Sequence, residues 1–162
     1  MNAVDLLVSQ HRRLEASLQH VLEVEDHDTR ARRFAEVGDL LTVHIASEEE
    51  LFYPAVRARR TEGILLESLE EHLSLKRLLS DLLALSPAEQ TFEPKFKVLK
   101  EQSEHHHEEE EENLFPKVRQ LLDDAELEAL GTRMAGLQQR LQNEGEPREA
   151  VSEQTEKAAP LK

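Results

Sequence analysis

Residues 44–54 and 106–116 are two copies of one pattern. In each, a His is followed by Glu at +4 and +5, by two apolar or aromatic residues at +8 and +9, and by Pro at +10: His44, Glu48, Glu49, Phe52, Tyr53, Pro54, and His106, Glu110, Glu111, Leu114, Phe115, Pro116. A lone His precedes each copy, His11 at 33 residues before His44 and His72 at 34 residues before His106. On an α-helix a spacing of four advances about 400°, so the His and Glu of each pair stack on one face, one turn apart. The chain must therefore fold so that a nitrogen and an oxygen are offered together, twice, which is how helices present ligands to a metal ion.

Apolar positions around these motifs advance by threes and fours, the spacing of amphipathic helices. A first stripe, Val4, Leu7, Leu14, Leu18 and Val21, contains His11 and predicts a helix from about Ala3 to Glu25. Asp26-His27-Asp28-Thr29 supplies a cap, and Phe34, Val37, Leu41, His44, Glu48 and Leu51 form the next stripe, to about Arg60. A third, Leu65, Leu69, His72, Lys76, Leu79 and Leu83, ends near Ser86-Pro87. A fourth runs from about Phe92 to Leu122 and carries Phe96, Leu99, Ser103, His106, Glu110 and Leu114. Pro54 and Pro116 are expected to bend or end helices two and four at matching positions. Four such helices with short connections predict an all-α, up-down-up-down four-helix bundle over residues 1–142, flanked by a shorter fifth helix from about Asp124 to Leu141. From Asn143 onward little remains to bury, and residues 143–162 are expected to be a disordered tail.

Composition narrows the chemistry. There is no Cys, so thiolate nucleophiles, zinc fingers and iron–sulfur ligation are excluded, and any metal must sit among imidazoles and carboxylates. Asp and Glu number 34 against 20 Lys and Arg, a formal charge of −14, which disfavours nucleic acid and anionic membrane surfaces as partners. Without a leader-like segment or an apolar run of membrane-spanning length, a cytoplasmic location is expected.

Each predicted bundle helix places metal-ligand types in its own apolar stripe: His11; His44 with Glu48; His72; His106 with Glu110. Burying two ionised carboxylates in a bundle core without a cation costs several kcal/mol apiece, which favours a metal centre over a buried polar network. In the triple His105-His106-His107, only His106 places Pro116 at +10, and His105 and His107 point about 100° to either side, toward the surface or an outer shell. Glu49 and Glu111 are candidate acceptors for ligand imidazole N–H groups, with a solvated acidic face as the alternative. Lys76 lies one turn from His72; its stem packs with the head snorkelling away, or its ammonium acts as a donor toward a bound ligand. Tyr53, half a turn off the stripe, reads as packing. The donor set suits iron, manganese or zinc, and two carboxylates from facing helices can bridge a pair of ions.

These residues resemble the hemerythrin-like proteins with the HHE cation-binding domain, over about residues 1–140 and with both HxxxEE signatures. The resemblance implies a non-haem di-iron centre of two iron ions, with Glu48 and Glu110 bridging and the four His terminal. It implies binding or sensing of oxygen, nitric oxide or peroxide in a redox or oxygen response. Competing classes are a peroxide- or nitric-oxide-consuming or iron-handling enzyme, and a structural helical module holding zinc or no metal. Oxygen-carrying hemerythrins have His at +4 from the third-helix His, where this chain has Lys76, and HxxxxD on the fourth helix, where this chain has HxxxE. One imidazole fewer implies an iron more open to water or substrate.

Overall fold

The computed structural model describes residues 1–162, and every regular element is helical. Helices α1 (Ala3–Val21), α2 (His27–Ser47), α4 (Glu62–Leu83) and α5 (Phe92–Glu109) form the bundle. Short α3 (Tyr53–Ala55) and α6 (Phe115–Leu121) prolong α2 and α5, and α7 (Asp124–Asn143) packs against α1 and α2. Sequence caps set the starts: the Asn2 side chain accepts from the Asp5 N–H at 2.8 Å, Asp26 accepts from Thr29 at 2.9 Å, and Asp123 forms a reciprocal capping box with Glu126. Such caps contribute about 1 kcal/mol each. Helix α1 ends at Val21, four residues earlier than its apolar spacing alone predicts.

The alternating direction of the four helices follows from which residues share a core. One apolar cluster gathers Leu7 near the start of α1, Phe52 beyond α2, Leu65 and Leu69 at the start of α4, and Leu114 beyond α5. The other gathers Leu18, Phe34, Leu79, Leu82, Phe92 and Phe96 from the opposite ends. His11, His44, His72 and His106 fall in sequence between the two sets, so a polar layer separates two apolar halves of one bundle.

The helices accommodate the two prolines by a specific device. Just before each, the backbone widens into a π turn, Glu48–Phe52 and Glu110–Leu114, in which the N–H groups of Tyr53 and Phe115 reach back five residues to the carbonyls of Glu48 and Glu110. Proline lacks an N–H and its ring crowds the carbonyl four residues back, and a wider turn relieves both problems. Each π turn starts at the Glu of the repeated motif. Helix α7 approaches the N-terminal backbone so closely that a Cβ on Gly131 would lie 2.9 Å from the Ala3 nitrogen and collide with the Met1 carbonyl.

The C-terminal segment is not the free tail its composition suggests. Residues Pro147–Gln154 form a 3₁₀ helix against α2 and α4, with Val151 buried in the Phe34 and Phe92 cluster. Arg148 pairs with Asp39 at 2.8 Å, and Arg77 donates to the carbonyls of Thr155 and Glu156 at 2.8 and 3.1 Å. One apolar anchor and side chains reaching from the bundle to the segment's own backbone order a stretch that lacks a stripe of its own.

Candidate metal centre

The structure brings together all six residues singled out by the repeat. His11, His44, Glu48, His72, His106 and Glu110 are each at most 2% exposed. The carboxylates lie between the imidazoles: Glu48 Oε1 is 3.3 Å from His44 Nε2 and 3.2 Å from His72 Nε2. Glu110 Oε1 lies 3.3 Å from His11 Nε2 and 3.5 Å from His106 Nε2. Every ring turns Nε2 inward.

Each outward Nδ1 has its own acceptor, and the four contacts obey the sequence repeat. His11 Nδ1 meets Glu111 Oε2 at 2.8 Å and His72 Nδ1 meets Glu49 Oε2 at 2.9 Å, from the position after each motif Glu. His44 Nδ1 meets Gln10 Oε1 at 2.9 Å and His106 Nδ1 meets Glu71 Oε1 at 2.7 Å, from the position before each lone His. The outer-acceptor reading of Glu49 and Glu111 therefore holds. Gln10 and Glu71 had a signal that the repeat contains, adjacency to His11 and His72, but no apolar stripe pointed to them. Cations steady two of these carboxylates, Arg12 on Glu111 and Lys76 on Glu49, the latter at 2.8 Å. Lys76 is 4% exposed and its ammonium is engaged by Glu49, so it neither snorkels to solvent nor points freely at the centre.

Two residues stand where the spacing argument did not put them. His107 is not on the surface: it is 1% exposed, stacks on His11 with ring centroids 3.9 Å apart, and lies 5.3 Å from His44. It follows Ser103 by four and precedes Glu110 by three, so the inward face of α5 is wide enough to hold two adjacent imidazoles. Ile45, its counterpart in the first copy, is also buried and was the available signal. A fifth imidazole is thus present, from α5 rather than from position 76. Tyr53, expected as packing alone, stacks on His72 at 5.4 Å and donates its hydroxyl to Glu110 Oε2 at 2.8 Å. His105 remains exposed beside Glu109, as expected, and His20 and His27 also lie on the surface.

Burial and mutual proximity shift these groups in opposite directions. Burial, with the neighbouring His11, holds His44 and His107 well below the usual imidazole range, and burial lowers His72 despite Glu49. His106 is raised: burial opposes this, but Glu110 and Glu71 outweigh it. Burial and the facing Glu110 push Glu48 well above the carboxylate range, whereas Glu110 is held low because the neighbouring His106 and His11 outweigh burial. Seven buried atoms here have no hydrogen-bond partner: Nε2 of His11 and His44, both ring nitrogens of His107, both oxygens of Glu48, and Oε1 of Glu110. Leaving a buried polar atom unpaired costs about 1–3 kcal/mol. A cation among them would satisfy several at once, and both a His11, His44, Glu48, Glu110 group and a Glu48, His72, His106 group have donor atoms close enough to share one. The residues present fit a metal.

Residues 2–118 match the Hemerythrin HHE cation binding domain, and the chain belongs to that family. The crystal structure of a Hemerythrin HHE cation binding domain-containing protein from Mycobacterium kansasii is similar, with a TM-score of 0.77, 27% identity and 89% of each chain covered. A curated relative from Nostoc sp. (strain PCC 7120 / SAG 25.82 / UTEX 2576), named DNA nickase, is 28% identical over 142 residues, 88% of this chain. This chain spans 40% of that protein's length. No helix is long and apolar enough to cross a membrane.

Proposed function

We propose that this chain is a non-haem di-iron protein that binds or senses oxygen or a related small ligand, nitric oxide or peroxide, in a redox or oxygen response. The observation that carries the metal reading is the approach of His72 Nε2 to His106 Nε2, 3.1 Å. Both rings face a carboxylate through Nδ1, and in the metal-free protein a His106 that carries both ring protons donates from Nε2 to His72. A cation between the rings would replace that proton and accept both Nε2 lone pairs.

In this reading His72 and His106 would hold one ion and His11 and His44 the other, with His107 beside them and Glu48 and Glu110 within reach of both groups. Histidine with carboxylate suits iron, manganese and zinc, and the family resemblance favours iron. Iron so held supplies the redox chemistry and open coordination that diatomic ligands and peroxide require. The protein's part is to turn each Nε2 inward through its Nδ1 acceptor, to hold the carboxylates by the π turns, and to seal the layer between two apolar cores.

Metal analysis and optical spectroscopy of protein made in iron-replete medium test the proposal. Close to two irons per chain are expected, with a near-ultraviolet spectrum that responds to oxygen, nitric oxide or peroxide after reduction. One tightly held zinc with no uptake of iron would overturn it.

A further inference from the structure

Helix α7 lies beyond the residues matched to the family domain, yet one of its side chains reaches the metal layer. Gln138 is 7% exposed and forms a reciprocal amide pair with Gln10: Gln10 Nε2 donates to Gln138 Oε1 at 2.6 Å, and Gln138 Nε2 donates to Gln10 Oε1 at 3.1 Å. Gln138 Nε2 also donates to Ser47 Oγ at 2.8 Å, and the Ser47 hydroxyl donates to the His44 carbonyl at 2.9 Å. The Ser47 proton sets the direction of every other bond in this chain. With its proton on the His44 carbonyl, Ser47 Oγ accepts from Gln138, which turns the Gln138 nitrogen toward Ser47 and its oxygen toward Gln10. The Gln10 nitrogen then faces Gln138, and its oxygen faces His44 Nδ1 at 2.9 Å.

We propose that Gln138 is a positioning residue that, through Gln10, fixes the ring proton of His44 on Nδ1 and so keeps Nε2 free for a metal ion; the metal half of this statement rests on the function proposed above. The need for such a device is visible in the other half of the repeat. The corresponding acceptor for His106 is Glu71, a carboxylate, which accepts in either orientation. His44 alone among the four rings relies on an amide, which presents a donor as readily as an acceptor if it turns. A cavity of about 230 Å³ between α1, α2 and α7 adjoins Gln10, His44 and Gln138, so an unpaired Gln10 amide would have room and polar neighbours to turn. Replacing the partners that orient a metal-ligating His typically costs 10–100-fold in metal affinity.

The test uses the full chain with Gln138→Leu, Gln138→Glu, Gln10→Glu and the double variant Gln138→Leu with Gln10→Glu. In metal-free protein, long-range nitrogen–proton NMR correlation is expected to show His44 as a single Nδ1–H tautomer. Gln138→Leu should give a tautomer mixture, and Gln138→Glu, which keeps the acceptor for Gln10 Nε2, should retain the single form. In cobalt(II) titrations, Gln138→Leu should weaken one of two sites by about tenfold or more. In the Gln10→Glu background, where no amide needs orienting, the same change should alter affinity less than twofold. A single Nδ1–H tautomer in Gln138→Leu overturns the proposal, as does an equal loss of affinity in both backgrounds, which would mark Gln138 as packing. If the parent takes up no cobalt, the metal reading fails and the tautomer measurement alone decides the role of Gln138.

Discussion

Ile45 and His107 hold the same place in the two halves of the bundle: each follows its motif His by one residue, and each is buried, at 4% and 1% exposure. The second half therefore puts two unpartnered ring nitrogens where the first half puts a hydrocarbon. His107→Ile copies the first half into the second. Metal-free protein should melt at the same temperature or higher, since a buried group without hydrogen bonds costs about 1–3 kcal/mol. In the di-iron reading proposed above, affinity for one of the two ions should fall by about tenfold or more. Calorimetry of the metal-free variant and a metal titration check the two halves of this expectation. Parent-like affinity would show that His107 stands beside the centre without serving it.

Bundle class, helix order and six convergent residues were legible because they rest on spacing, and spacing survives in a string of letters. What was lost depends on contacts across helices. The apolar stripe treats an inward face as a line, so His107, one residue from His106, was placed outside it. Tyr53 was misjudged because the π turn from Glu48 to Phe52 resets the helical phase just before it. The C-terminal segment was misread because its order comes from Asp39, Arg57 and Arg77 of the bundle reaching it, not from its own pattern.

Removing the metal should cost stability. A ligand present at a thousand times its dissociation constant stabilises the folded state by about 4 kcal/mol, which for a chain of this size is roughly a 10 °C change in melting temperature. Dialysis against a chelator, with metal content verified before and after, is expected to lower the melting point by about that amount. An unchanged melting curve would mean that the polar layer is already satisfied without a cation.

Lys76→Met should destabilise the protein more than loss of a surface ion pair does. Lys76 Nζ and Glu49 Oε1 lie 2.8 Å apart with side chains only 5% and 10% exposed. Removing one member leaves a largely buried carboxylate uncompensated, a cost of about 3 kcal/mol. Adding Glu49→Gln should recover part of the loss, because the amide oxygen still accepts from His72 without carrying charge. Urea denaturation of the two variants measures this. Equal stability of Lys76→Met and the parent would show that water already screens the pair.

The metal-free protein should be most stable near pH 6.5 and weaken on both sides. His44, His72 and His107 have folded values below the ordinary 6.5, so as pH falls from there the unfolded chain takes up their protons first and stability drops. Glu48, raised in the folded state, works the other way over the same range, but one group does not offset three. Above pH 6.5 the sign reverses: the folded state still holds a proton on His106 that the unfolded chain has released, and this contribution disappears as pH rises through its folded value. Each net proton corresponds to a slope of about 1.4 kcal/mol per pH unit. Urea denaturation of chelated protein at pH 5.5, 6.5 and 8 should therefore give its highest midpoint at the middle value. His107→Ile, with one depressed imidazole fewer, should show a shallower acid limb. A flat profile in both proteins would mean that the polar layer hydrates freely when the metal leaves, so that none of its groups carries a folded-state shift.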